Sequence, residues 1–315
     1  MKKKLYVISL SLLSLTSYSQ VSETDAADFL EAYFSPIPNT LSAGLNNGWY
    51  NTAQPHKLGG FDITVTLNTI SFPETELTFD PNSINNFSSS SNATPTIFGS
   101  GNGSNIDYNG FNFEMPNQEN KKVKLVPIPM MNAGIGLVKK TELDVRYIPE
   151  VKGDFGFAGK GSIQLWGIGL KHDLLQWVPA VGNVIPMGLS LQVGHTSLNT
   201  KFDINAAGAK QDVELDVSST TINLIASKKV LIITAHASIG YNSSKTTFNS
   251  TTSFSLGSED NSIDFKVPLD MHFESQNEFR TNIGLRLDLT LLKIHADHTF
   301  SKYPVTTIGI GLGLR

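Results

Sequence analysis

Residues Phe61 to Asn68 alternate without a fault: Phe61, Ile63, Val65 and Leu67 fall on one side of an extended chain, and Asp62, Thr64, Thr66 and Asn68 on the other. Side chains on a strand repeat every second residue, so the segment has one apolar and one polar face. The apolar face needs a cover. Either a second layer of protein lies against it, as in a soluble sandwich, or lipid does, with the polar face lining a closed barrel. The same period returns downstream, where Leu143, Val145 and Tyr147 oppose Glu142, Asp144 and Arg146. Met187, Leu189, Leu191 and Val193 oppose Gly188, Ser190, Gln192 and Gly194, and Leu231, Ile233, Ala235, Ala237 and Ile239 oppose Ile232, Thr234, His236, Ser238 and Gly240. Each reads as half-wet sheet.

Three features weigh toward lipid. Several segments alternate over about 10 residues, longer than the usual 5–6 of a globular strand and matched to a tilted membrane strand of roughly 9–11. Their polar faces carry Lys, Arg, Asp, Glu and Gln, which a wet lumen tolerates. Tyr147, Phe202, Tyr241, Phe248 and Tyr303 fall near strand ends, where interfacial girdles would place them. The reading is therefore all-β: a transmembrane antiparallel barrel of about 10–14 strands with a short N-terminal helical plug. Near the end of the chain, Ile283 to Leu291 are apolar at odd positions and Leu292, Ile294 and Ala296 at even ones. Such a flip exchanges the two faces, so a tight turn or a bulge is expected at Leu291-Leu292, the short turn between antiparallel strands being the favoured cause.

The first residues bear on the compartment. Lys2, Lys3 and Lys4 precede an apolar run from Leu5 to Leu15 and then Ser17-Tyr-Ser19, the pattern of a secretory signal peptide over residues 1–19. Removing it would take the formal charge from −4 to −7, and nothing suggests a nucleic-acid partner. The chain has no cysteine, which excludes a disulfide scaffold and thiolate metal sites. Residues 20–58 form the expected plug: Ser22 and Asp25 resemble a capping box, Phe29, Leu30, Tyr33 and Phe34 share a helical face, and Ser35-Pro36 is expected to stop the helix before an ordered loop from Pro38 to Gly60. Residues 59–315 form the expected barrel. Within it, residues 73–122 are rich in Ser, Asn and Gly, a long outer loop from which little core is expected.

Gly48-Trp-Tyr-Asn-Thr-Ala-Gln-Pro-His-Lys-Leu-Gly-Gly-Phe-Asp62, Pro95-Thr-Ile-Phe-Gly99, and Gly169-Leu-Lys-His-Asp173 with Trp177, Pro179, Pro186 and Leu189-Ser190 resemble an uncharacterised family of Gram-negative outer-membrane barrels. That family is distantly similar to the FadL type of long-chain fatty acid transporter. The resemblance implies an outer-membrane location, contact with outer-membrane lipid and the barrel-assembly machinery, and passive uptake of small hydrophobic compounds such as fatty acids. In such a barrel Phe29, Leu30, Tyr33, Phe34, Trp49 and Tyr50 are the candidate contacts for a hydrophobic ligand; the plainer alternative is that they pin the plug to the wall.

Other motifs resolve to structure. Leu174, Leu175, Trp177 and Val178 fit a short amphipathic turn at a membrane surface. His295 and His298 lie three apart, so on a strand they face opposite sides and no metal is assigned to them. Gly309-Ile-Gly-Leu-Gly313 matches a phosphate loop only in letters, and glycines facing a crowded lumen explain it better. No Gly-x-Ser-x-Gly elbow occurs. No catalytic residue, metal or cofactor is assigned, and the chain is read as a non-enzyme. A non-transporting docking barrel and a membrane-embedded hydrolase stand as the second and third functional readings.

Overall fold

A computed structural model describes residues 22–117, 124–154, 160–178, 187–206, 209–250, 254–258, 261–265 and 269–314. The expected signal peptide and the last residues of the 73–122 loop lie outside the described residues.

Ten strands build a closed wall: β1 (Phe61–Ser71), β2 (Leu125–Leu137), β3 (Thr141–Asp154), β4 (Lys160–Asp173), β5 (Gly188–Ala206), β6 (Ala209–Val230), β7 (Ile233–Ser250), β8 (Leu269–Leu289), β9 (Leu292–Phe300) and β10 (Val305–Leu314). Each pairs antiparallel with its neighbour in sequence, and β1 closes the ring against β10 from Phe61↔Leu314 to Ile70↔Val305. At one end the connections include two-residue turns. The expected face exchange is one of them: Leu289 pairs with Leu292 across Thr290-Leu291, with Thr290 at φ 59°. Leu231, at φ 55°, opens the equivalent turn between β6 and β7. This short-turn end also carries the Leu175–Trp177 turn, where the exposed Trp177 donates from Nε1 to His172 Nε2 at 2.9 Å.

The outside of the wall is apolar. Ile63, Val65 and Leu67 on β1, Ile168 and Leu170 on β4, Ile283, Leu285 and Leu287 on β8, and Ile308, Ile310 and Leu312 on β10 are all exposed. Tyr147 and Trp166 face each other across β3 and β4, and Tyr241 and Phe279 across β7 and β8, at the upper edge of this belt. Ten steps separate Phe279 from Leu289, which at about 3.3 Å each and a tilt of roughly 40° give a band about 25 Å tall, the height of a lipid-facing belt. The chain is a transmembrane β-barrel.

Above the belt the two faces exchange chemistry. On β6 the outward side runs from Leu224 and Ile222 to Ser218, Asp216 and Glu214, while the inward side runs from Asn223, Thr221 and Ser219 to Val217, Leu215 and Val213. On β7 the outward side passes from Ile239 and Tyr241 to Ser243 and Lys245, and the inward side ends on Phe248. Below the boundary the solvent outside is lipid; above it, water. This corrects the girdle expectation for three aromatics: Phe248 is buried with Phe202 packed against its cluster, and Tyr303 is buried in a second one with Ala43, Ile70 and Val305, because they lie where the inside is the apolar side.

Two helices enter the lumen from the long-loop end. In α1 (Glu23–Phe34), Ser22 caps the first turn by accepting from the Asp25 amide at 3.1 Å. Pro36 then opens a second helix, α2 (Pro36–Leu45), where a loop was expected. Proline at the first helical position loses only an amide that has no intrahelical partner, so it starts a helix as readily as it ends one. The 73–117 segment also departs from expectation. It folds into small sheets, Thr78–Phe79 with Thr94–Pro95 and Phe87–Ser89 with Asn105–Tyr108 and Phe111–Glu114, and these cap the barrel. Its few apolar side chains, among them Phe87, Ile106, Phe113 and Met115, are buried against α1, so a composition poor in hydrophobes still closes a core when every one of them is used.

Leu285→Arg, in mid-belt, should destabilise the barrel by about 2–4 kcal/mol. Asp216→Lys, on the outward face above the belt, should change it by less than about 0.5 kcal/mol. Urea unfolding in lipid vesicles measures both; equal costs would show that the exposed apolar band does not meet lipid.

Candidate functional site

The chain from α1 to Gly60 threads the lumen from cap to short-turn end and is fastened at every level. At the top, Phe29 stacks on Phe87 at 4.5 Å between ring centroids and meets Phe79 and Phe113 edge-on, while Phe34 stacks on Phe248 of β7 at 5.7 Å. Tyr108 Oη and Asn86 Nδ2 donate to Asp25 Oδ2 at 2.8 and 2.9 Å, tying α1 to the cap. Asn86, the Ser22 cap and Tyr108 hold the Asp25 carboxyl below its ordinary value.

Below α2 the fastening becomes ionic and polar. Arg146 on β3 donates to the carbonyls of Leu45 at 2.6 Å and Asn47 at 2.5 Å and to Asn132 Oδ1 at 2.6 Å, with its guanidinium 3.6 Å over the Trp49 ring. Arg280 on β8 donates to the Asn46 carbonyl at 2.8 Å and to Tyr50 Oη at 3.3 Å. Trp49 needs a bed without side chains, and Gly167, Gly169 and Gly194 supply it: a Cβ on Gly169 would stand 2.8 Å from the indole. Tyr50 Oη lies 2.5 Å from Ser238 Oγ, and Arg286 donates to Asn51 Oδ1 at 2.8 Å. Near the short-turn end the His56 amide donates to Glu142 Oε2 at 2.6 Å, and Lys171 Nζ donates to Glu142 Oε1 at 2.6 Å. The glycines of β10 face this crowded lumen, with Gly309 against the His295 ring and Gly311 against Thr64. His298 points the other way, towards Phe300.

Two voids beside the plug measure about 10 and 20 Å³, room for a water or two. The wall itself is interrupted elsewhere. β2 and β3 pair only from Leu137↔Thr141 to Asn132↔Arg146. Beyond that level Leu125–Met131 keeps β1 as its partner and Tyr147–Asp154 keeps β4, so the two strands part along a seam. The sequence builds this edge. Pro127, Pro129 and Pro149 lack amide protons, and proline within a sheet is confined to edges and bulges; the β3–β4 register shifts between Ile148 and Val151, around Pro149. Behind the seam, Leu41 and Leu45 of α2 pack against Ile128, Met130 and Ile148 in one apolar cluster.

The six residues singled out from sequence therefore do not share a pocket. Phe29, Leu30, Tyr33 and Phe34 lie in the capped upper core, and Trp49 and Tyr50 in the polar lower lumen. The seam and the paired arginines were missed, although three prolines inside strand-like runs were a visible signal.

A family model matches residues 1–314. The chain belongs to DUF6588, a family of unknown function. No curated protein matches it. Among solved structures it is similar to the translocator domain of the autotransporter NalP from Neisseria meningitidis, at 11% identity over 93% of this chain and 96% of that one, TM-score 0.34. It is similar also to Ail, the attachment invasion locus protein of Yersinia pestis, at 9% identity over 81% and 97%, TM-score 0.29. The Ralstonia pickettii toluene transporter TbuX matches at 8% identity over 88% and 98%, TM-score 0.24.

Two outcomes follow from the fastening. Lys171→Met leaves Glu142 buried beside one partner fewer, a change that costs about 3–5 kcal/mol in a fully buried pair; hydrogen exchange in residues 46–56 should rise while the barrel stays folded, and unchanged exchange would show that this pair does not hold the plug. Because the folded-state value of Asp25 is depressed, its contribution is complete above the unfolded carboxyl value of about 3.9 and is lost as pH falls through the lower folded one. Proteolysis at α1 should therefore speed up in strong acid, and Asp25→Asn should remove that dependence.

Proposed function

We propose that the protein resides in the outer membrane of a Gram-negative cell, cap outward, and takes up small hydrophobic compounds by a path that leaves through its wall. The apolar belt with a closed ladder supports the location, since a spanning sheet has to be a barrel. Long loops belong to the cell surface and short turns to the periplasm in such barrels, which sets the orientation. The observation that carries the reading is the β2–β3 seam, backed by Leu41 and Leu45 of α2 with Ile128, Met130 and Ile148 at its inner side. The axis below it is filled by charged and polar groups that an apolar solute would have to desolvate. A solute held in the upper, apolar half of the lumen meets no such barrier on its way sideways to the rim of the belt, where Tyr147 marks the start of the seam, once α2 shifts. The reading assigns no covalent step and no cofactor to the protein.

A second reading, a docking platform, draws on the same plugged axis together with the outward Ser/Asn-rich cap. One experiment separates the two. With no native cysteine, Gly44→Cys/Ile128→Cys gives a unique pair that ties α2 to the β2 edge of the seam, and a Cβ on Gly44 falls directly against Ile128 Cδ1. Cells carrying the reduced variant should accumulate labelled toluene or oleate faster than cells without the gene, and oxidation should abolish the difference. Uptake indifferent to the cross-link removes the wall route, and no uptake of any apolar probe leaves the platform.

A further inference from the structure

We propose that the foot of the plug and the β2–β3 turn together form a site for an anionic phospholipid headgroup, with Lys57 and Lys139 on its phosphate and Trp177 beside it where the acyl layer ends. The site rests on the membrane setting of the barrel and is independent of the uptake path.

At the short-turn end the exposed charges are of one sign among the described residues: Lys57, Lys139, Lys140, Lys228 and Lys229. The carboxylates there are turned inward. Glu142, Asp144 and Asp288 are buried, and Asp62 and Asp173 are half-buried. Asp173 takes Lys140 at 3.2 Å and Asp288 takes Lys229 at 3.2 Å, whereas Lys57 and Lys139 make no ion pair among the described residues. Above the belt the pattern is different, because there outward lysines stand beside outward acids: Lys201 lies 3.0 Å from Glu214 and Lys152 3.5 Å from Glu150.

The turn holds its lysines where lysine is unusual. Lys139 at φ 53° and Lys140 at φ 45° occupy the left-handed region that tight turns ordinarily fill with Gly or Asn, so the turn itself gains nothing from them. Gly136, three residues before Lys139, lies against the Lys57 carbonyl, and the Gly59 amide donates to the Gly136 carbonyl at 3.1 Å. The foot of the plug therefore emerges beside this turn. From the other side Gln176 Nε2 donates to the Lys139 carbonyl at 2.9 Å, which brings the Trp177 turn to the same corner.

The neighbours of these lysines fit lipid better than a soluble partner. Leu58 is 73% exposed and Val138 64%, so unpaired ammonium groups and bare apolar side chains alternate at one level. That mixture suits the boundary between acyl chains and headgroups, which long lysine stems cross readily. Trp177, its indole N–H fixed on His172, stands where interfacial tryptophans do. The phosphate of a zwitterionic lipid carries its own cation. That of phosphatidylglycerol does not, and it is the one that gains from Lys57 and Lys139.

Bromine-tailed lipids test this on the full-length protein carrying Trp166→Phe, reconstituted in mixed phosphatidylglycerol and phosphatidylcholine vesicles with bromine on one lipid or the other. The same protein with Trp177→Phe supplies the background from Trp49. Quenching of Trp177 should show about a five-fold preference for phosphatidylglycerol, falling towards none as salt rises from about 0.05 to about 0.5 M. Lys57→Gln/Lys139→Gln should abolish the preference, and Lys152→Gln/Lys201→Gln, at the opposite end, should keep it. Equal loss in both pairs would reduce the effect to net charge and overturn the site. So would displacement by millimolar glycerol phosphate, which assigns the lysines to a soluble phosphate, or no preference in the parent protein, which leaves them to an acidic soluble partner. None of these results bears on uptake by cells, whose failure would in turn leave the quenching ratio as it is.

Discussion

In hydrocarbon a backbone amide or carbonyl without a partner costs several kcal/mol, and no water is present to supply one. That constraint shapes the molecule. Ten strands close into a ring because β1 and β10 zip over their whole common length, and two-residue turns join β6 to β7 and β8 to β9. Against this background the parting of β2 from β3 stands out. It lies where two prolines of β2 remove donors that an exposed edge would otherwise orphan, so the departure from closure is written into the strand itself.

A ring of this size has a lumen too wide for its own side chains, and residues 46–56 fill it. The filling is polar because the inward faces are polar, and they are polar because the outward faces spend their hydrophobic residues on lipid. Every buried charge then needs a partner on the plug or across the wall, which is why arginines from β3 and β8 meet at consecutive carbonyls below α2. Plug and wall are mutual counterparts: neither inward surface is stable without the other.

Much of this was legible in the chain. Period-two alternation gave the strands and their faces from Phe61 to Leu67 and from Ile308 to Leu314, and the parity flip at Leu291-Leu292 marked a real turn. Periodicity could not tell that Phe248 and Tyr303 point inward, because the same alternation serves a lipid-facing and a water-facing strand and only the third dimension says where lipid stops. Pro36 was read as a stop although it is equally a start. The seam and the paired arginines depend on which strands are neighbours in space, and a single sequence does not reveal that Leu45 lies beside Arg146, 101 positions away.

The exchange of faces along β6 and β7 carries a consequence for assembly. A slip of one residue in β6 would turn Asn223 and Ser227 towards acyl chains and, in the same movement, bring Val213, Leu215 and Val217 out into the aqueous phase. The strand is penalised from both ends for a single error, so its alignment is proofread by two solvents at once, and the correct threading can be selected only after the wall has come to rest at the right depth.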